Sequence, residues 1–311
     1  MRICSLLPGA TEVVAALGLA DRLVGISHEC DYPPGLSAPV MVESLLPTED
    51  LSSAEIDRRV RAASAKHEPL YRLSASLLAA ARPDLIIVQD LCDVCAVTPA
   101  RFEHYLLELT PIPRLLKLQQ RALSDLFVDL LRIGSAVGRE AEARQLNGTL
   151  QEAVAAIERQ IGSIPVRPRV ACLEWLSPLY IAGHWVPDMV ELAGGTAVLT
   201  ESGAPSRRIA WEELTSSRPD VIVIMPCGFT KERAAAEFTG MLGKPEWQDL
   251  PAVQTGRVHV VDALSYFSRP GPRLINGTAQ LAELLHPTLR ARDAMHEMRP
   301  FRLTDPNPVQ P

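Results

Sequence analysis

One pattern occurs twice in this chain, and it limits the folds available. Residues 81–89 read Ala-Arg-Pro-Asp-Leu-Ile-Ile-Val-Gln, and residues 217–226 read Ser-Arg-Pro-Asp-Val-Ile-Val-Ile-Met-Pro. Each is a proline-marked start followed by an aliphatic, β-branched run of strand length. The first enters the loop Asp-Leu-Cys-Asp-Val-Cys at 90–95 and the second enters Cys-Gly-Phe at 227–229. Residues 11–18, Thr-Glu-Val-Val-Ala-Ala-Leu-Gly, are echoed by Pro-Asp-Met-Val-Glu-Leu-Ala-Gly at 187–194. Two similar lobes leave a cleft between them, where small ligands bind. At 311 residues the chain has room for two such cores.

Strand runs alternate with helical runs, which predicts parallel βα units. Residues 3–7 form a short apolar run stopped by Pro8-Gly9. Thr11 is placed to cap a helix that Gly18 closes. Residues 23–27 make a second strand, 53–65 and 73–81 make helices, and 85–88 make a strand. The centre is different. No proline occurs from 122 to 162, and Gly138 breaks the run. Beyond it Ala143, Leu146, Leu150, Val154, Ile157 and Ile161 recur at three or four residues, one helical face. A helix over about residues 139–161 is a rod of about 35 Å, long enough to join two lobes.

The expected architecture is therefore α/β: two Rossmann-like lobes joined by one long backbone helix, with a ligand cleft between the lobes. The divisions are 1–121 for the first lobe, 122–166 for the helical connection, 167–287 for the second lobe and 288–311 for a tail.

Composition excludes several roles. A net charge of −6 gives no basic face for nucleic acid. No apolar run reaches the roughly 18 residues of a membrane span. The first residues lack a secretory leader, which predicts a cytoplasmic protein. Six cysteines are too few for a disulfide scaffold. Cys4 and Cys172 lie in apolar strand runs and read as core thiols, while Cys30, Cys92, Cys95 and Cys227 follow strand runs in loops. No Gly-rich phosphate loop and no GxSxG elbow is present.

In an open α/β sheet, ligands bind beyond the carboxyl ends of the strands. That rule directs six loops into the cleft, and with them the candidate ligand-binding residues. His28, Glu29, Cys30 and Tyr32 come from the first loop, and Cys92 from the loop at 90–95. Glu174 and Trp175, then His184 and Trp185, come from the start of the second half. Cys227 and Phe229 follow its duplicated strand, and Tyr266 and Arg269 close the set. Aromatic faces suit a flat macrocycle or chelate, and Arg269 and Arg273 suit ligand acids. Cys92-x-x-Cys95 has the spacing of two soft-metal ligands, and His28 could add a third. Glu29, Asp31, Asp93 and Glu174 leave acid–base chemistry open.

The opening, Arg-Ile-Cys-Ser-Leu-Leu-Pro-Gly-Ala-Thr-Glu at 2–12 followed by Leu-Gly at 17–18, resembles the helical-backbone substrate-binding proteins of ATP-driven importers. The resemblance covers about residues 2–287 and is strongest to the branch that binds cobalamin. Ser-His-Glu-Cys-Asp-Tyr-Pro at 27–33 and Tyr-Phe-Ser-Arg-Pro-Gly-Pro-Arg at 266–273 resemble its subgroup without an export signal. It implies two lobes on one long helix and non-catalytic binding of a metal-containing macrocycle, a corrinoid first. Two alternatives remain: a metal-ion or thiol-redox protein using the CxxC, and an enzyme acting on a tetrapyrrole-like compound. Without an export signal, an importer partner is left open.

Overall fold

The computed structural model describes residues 1–287 except 47, 49, 90–105, 107, 108 and 163. The expected tail at 288–311, and Cys92 and Cys95, lie outside the described residues.

Two separate sheets form, as the duplication predicts. The first has the order β4-β3-β2-β1-β5-β6, built from β1 (Ile3–Ser5), β2 (Leu23–Ser27), β3 (Val40–Ser44), β4 (Tyr71–Leu73), β5 (Leu85–Gln89) and β6 (Arg114–Leu118). All neighbours are parallel except β3 and β4. The second sheet contains β7 (Arg169–Leu176), β8 (Leu179–Ile181), β9 (Thr196–Ala197), β10 (Arg207–Arg208), β11 (Val221–Ile224) and β12 (Val258–Val260). Here β7, β11 and β12 run parallel, and β8 turns back against β7.

The repeated Arg-Pro-Asp unit has a structural cause. In the first sheet the Asp84 carboxylate accepts the backbone N–H of Arg2 at 2.7 Å, and the Arg2 side chain donates to Ala81 O at 2.7 Å. In the second, Asp220 accepts from Arg169 N at 2.8 Å, and the Arg169 side chain donates to Ser217 O. Each unit thereby locks the foot of one strand to its neighbour and to the preceding helix end. Asp84 and Asp220 stand before the amino ends of β5 and β11, so the repeat itself is away from the ligand edge.

Local details differ from the periodic reading where tertiary packing intervenes. The first helix spans Pro8–Ala16, with Pro8 in its first turn. Proline needs no partner for its missing N–H there. Thr11 is therefore inside the helix, fully buried, donating to Ser5 Oγ at 2.8 Å. The helix expected over 73–81 is shorter, Ala75–Ala81, because Ser74 caps it and residues 71–73 pair as an edge strand.

The long helix spans Glu140–Ile161 and follows Leu123–Val137, which ends at Gly138 with φ of 71°. Its buried residues are Ala143, Leu150, Ile157 and Ile161. They join one core that also contains Val14 and Leu130 from the first half and Met189 and Leu281 from the second. The outer faces of the two sheets have cores of their own. Cys4 and Cys172 are buried as expected, and burial pushes the Cys172 thiol up to about 12.

The lobes also touch through backbone. A Cβ built on Gly9 would stand 1.9 Å from Pro270 O, so this contact requires glycine. Gly9→Ala is expected to destabilise the protein by about 1–3 kcal/mol, as overpacking does. By contrast Gly148, in the long helix with nothing within 4 Å of a built Cβ, should gain about 0.5–1 kcal/mol on Gly148→Ala. Chemical denaturation of the two variants checks both signs.

Candidate functional site

The two lobes meet along a seam, and Glu29, Tyr32, Trp175, Phe229 and Arg269 make contacts across it. Its first part is ionic. Arg269, only 7% exposed, donates to Asp31 and, at 3.1 Å, to Glu29, both on the loop after β2. Burial alone would disfavour the Arg269 charge, but its two carboxylates hold it charged and raise its pKa. The Arg273 guanidinium lies 4.2 Å from the centre of the Tyr32 ring and donates to Glu12 Oε1 at 2.6 Å. Glu12 is buried, and its other oxygen has no hydrogen-bond partner.

The second part is a clasp between the β3 side of the first lobe and the helix Lys231–Thr239 of the second. The Trp175 indole donates to Ser53 O at 3.1 Å and meets Phe229 edge-on at 5.4 Å. Arg233 lies 3.7 Å over the Phe229 ring and donates to Thr48 O at 2.6 Å and Leu51 O at 3.0 Å. Glu237 accepts from both the backbone N–H and the hydroxyl of Ser53. Ile56, Val60 and Leu51 pack with Phe229 and Trp175 into a small apolar cluster across the seam.

Not every candidate faces open space. Cys30 is buried, its sulfur 3.1 Å from Thr11 Oγ1 and 3.3 Å from Ser27 Oγ, and burial pushes its thiol up. Trp185 is buried and donates to Phe267 O at 2.8 Å. Phe229 is likewise buried. His28 Nδ1 is 3.1 Å from Val42 O, and Nε2 is 3.4 Å from Glu29. His184 sits at φ of 53° beside Trp185, and burial, then the Arg121 charge, holds its pKa below the usual histidine range. Cys227 is exposed, and its backbone N–H donates to Glu174 O at 3.0 Å. Tyr266, half-buried, ends the short helix Ala263–Tyr266. Among the described residues no group of three or more His, Cys, Asp or Glu side chains is arranged to hold a metal ion.

Sequence reasoning missed Ser53, Arg233, Glu237 and the pairing of Glu12 with Arg273. Their partners are 184, 182–185 and 261 positions away. No local signal marks them, although an arginine and a glutamate one turn apart on either side of small residues invite the question. A cavity of about 520 Å³ lies between the helix Ser53–Ala65 and the β7–β8 turn. None of the candidate residues lines it.

A model of periplasmic binding proteins matches residues 3–263. The chain belongs to the periplasmic binding protein family. A vitamin B12-binding protein of Vibrio cholerae is 27% identical over 294 residues, covering 91% of this chain and 88% of the relative. An ABC transporter substrate-binding lipoprotein of Bacillus subtilis, YvrC, is 23% identical and covers 92% of this chain and 80% of its own. Among solved structures, the periplasmic heme-binding protein BhuT with two hemes aligns with a TM-score of 0.70 at 20% identity, covering 93% of this chain and 98% of that one. The periplasmic vitamin B12-binding protein BtuF of Vibrio cholerae aligns with a TM-score of 0.64 at 22% identity, covering 94% and 98%. The two-lobed fold on one long helix is thus shared. The relatives are binding proteins rather than enzymes.

The relatives also overturn the cytoplasmic expectation, since they are periplasmic or lipoprotein receptors. That expectation read compartment from the first residues of the chain. Where a sequence begins does not report where the protein works. Among the described residues no helix is long and apolar enough to cross a membrane.

The buried Glu12 supplies a test of the seam. Burial holds its carboxyl above the usual range, against the hydrogen bonds and charge of Arg273. A raised folded pKa favours the protonated folded state. The stabilisation is full below the ordinary carboxyl pKa and is lost as pH rises through the folded value. Relative to Glu12→Gln, the wild type should therefore lose stability as the pH rises above the ordinary carboxyl range. Urea midpoints that run parallel for the two proteins would refute this.

Proposed function

We propose that this protein binds a metal-containing macrocycle, a corrinoid first, between its lobes without chemical turnover, and presents it to an ATP-driven importer. The observation that carries the reading is the 27% identity, over 91% of the chain, to a vitamin B12-binding protein. Physical chemistry supports it. Trp175 and Tyr32 put aromatic area on the seam, and flat macrocycles are gripped by such faces. Arg269 is held in place by carboxylates that are themselves about half exposed. Because Arg269 itself is buried, a ligand that takes over the arginine has to supply acceptor groups in place of those carboxylates. Glu29, Tyr32, Trp175 and Arg269 are the proposed contacts, with Cys227 and Tyr266 at the border. His28, Glu174 and His184 remain candidates behind them.

Haem is the second reading, favoured by the TM-score of 0.70 to a heme-bound receptor. A soft metal ion on Cys92, Cys95 and His28 is a third, resting on spacing alone. Titration with cyanocobalamin, haemin and zinc separates them. The expected result is a cobalamin Kd at or below about 1 μM, with haemin at least about tenfold weaker. Trp175→Ala should weaken cobalamin binding by about tenfold or more, and Cys92→Ser with Cys95→Ser should leave it within about tenfold. Tighter haemin than cobalamin would move the assignment to haem. Zinc binding that vanishes in the double serine variant, with no corrinoid binding by the parent, would establish the metal reading instead.

A further inference from the structure

The cavity beside the Trp175 clasp has a chemistry that the corrinoid reading does not use. Its walls include Asp57 and Arg61 from the helix Ser53–Ala65, and Arg208, Trp211, Met241 and Lys244 from the second lobe. At about 520 Å³ it is within the range of small-molecule sites.

Its charges are unequally matched. Asp57 is already bonded to Arg61 at 2.7 Å. Arg208 and Lys244 have no ion-pair partner among the described residues. Glu212 also lines the cavity, so two unmatched cations face one unmatched acid there. Strand geometry explains why Arg208 is available and its neighbour is not. Successive side chains of β10 point to opposite faces. Arg207 turns to Glu213 at 2.7 Å, which leaves Arg208 on the cavity side.

The apolar part is fixed. Trp211 meets Trp247 edge-on at 5.1 Å, and Trp247 meets Phe238 at 5.1 Å in the same way. Trp247 is fully buried. The Trp211 indole therefore stands on a packed aromatic base while its free area lines the cavity. Met241, beside it, adds a polarisable, adaptable surface. A rigid aromatic and two cations lining one cavity fit a ligand that is flat and apolar at one end and anionic at the other.

We propose that this cavity is a binding site for a small planar carboxylic acid, an aromatic or conjugated frame lying against Trp211 and Met241 with its carboxylate on Arg208 and Lys244. The site is separate from the corrinoid contacts and does not depend on that assignment. None of the residues proposed to hold the macrocycle lines it.

The chain has four tryptophans, so the full-length protein labelled with 5-fluorotryptophan gives a resolvable fluorine spectrum, and Trp211→Phe assigns the signal. The probes are 2-naphthoate and its neutral counterpart 2-naphthalenemethanol. The Trp211 signal is expected to shift saturably with naphthoate, the Trp185 signal to stay in place, and naphthoate to bind at least about tenfold more tightly than the alcohol. Arg208→Ala with Lys244→Ala, both exposed positions, should weaken naphthoate by about tenfold or more and the alcohol by less than about twofold. The proposal is overturned if no saturable shift of Trp211 occurs up to about 10 mM probe. It is equally overturned if the acid and the alcohol bind alike, or if the double variant binds naphthoate as the parent does. Cobalamin titration of the same double variant keeps the two sites apart. Unchanged cobalamin affinity supports a separate site, and a loss matching that of naphthoate overturns it.

Discussion

The apolar face of the helix Glu140–Ile161 is shared by both lobes, and the remaining geometry follows from that. Leu150 and Ile157 are essentially solvent-free, in one core with Val14 and Leu130 on one side and Met189 and Leu281 on the other. Burying each such side chain contributes about 1.5–3 kcal/mol. Swinging the lobes apart at this end would return several of them to water at once. At the opposite end, where the two lobes meet along the seam, many of the contacts are polar.

Those polar contacts define the seam sharply. Arg269 is buried, but Glu29 and Asp31 keep much of their contact with solvent. Parting them from Arg269 with nothing in their place would leave a buried charge unpaired, so the pair yields to a ligand that brings acceptors of its own. The Glu12–Arg273 pair is different, because both side chains are withdrawn from water. Such a pair fixes position more than it adds net stability, since desolvation offsets the attraction. With Gly9 against Pro270 it forms the fixed end of the seam. The Trp175, Ser53 and Arg233 contacts form an end whose donors bind backbone carbonyls of a loop. A receptor that must admit and release a ligand suits this division.

The two sheets, the parallel strand units and the long helix were legible in the sequence, because burial on one face of a helix or strand is written in periodic spacing. The duplicated Arg-Pro-Asp unit was legible as a repeat, and it marked equivalent strands correctly. Its purpose was not legible, since the partners of Asp84 and Asp220 are backbone N–H groups 82 and 51 positions away. The resemblance carried the family and left the compartment wrong, because the feature used to infer the compartment is not part of the fold.

The side-chain roles belong to tertiary structure. Cys30 and Cys227 both follow strands, yet one is enclosed by Ser5, Thr11 and Ser27 and the other is exposed. Arg207 and Arg208 are identical neighbours, yet one is paired and the other faces a cavity. Glu12 has no marked role in the sequence until Arg273, 261 residues later, is brought to it. Periodicity determined which face of each element is buried, since that depends only on neighbours three or four residues away. Which polar groups meet was decided by how the two lobes approach, since that distance is set by a helix and a seam that no short stretch of sequence contains.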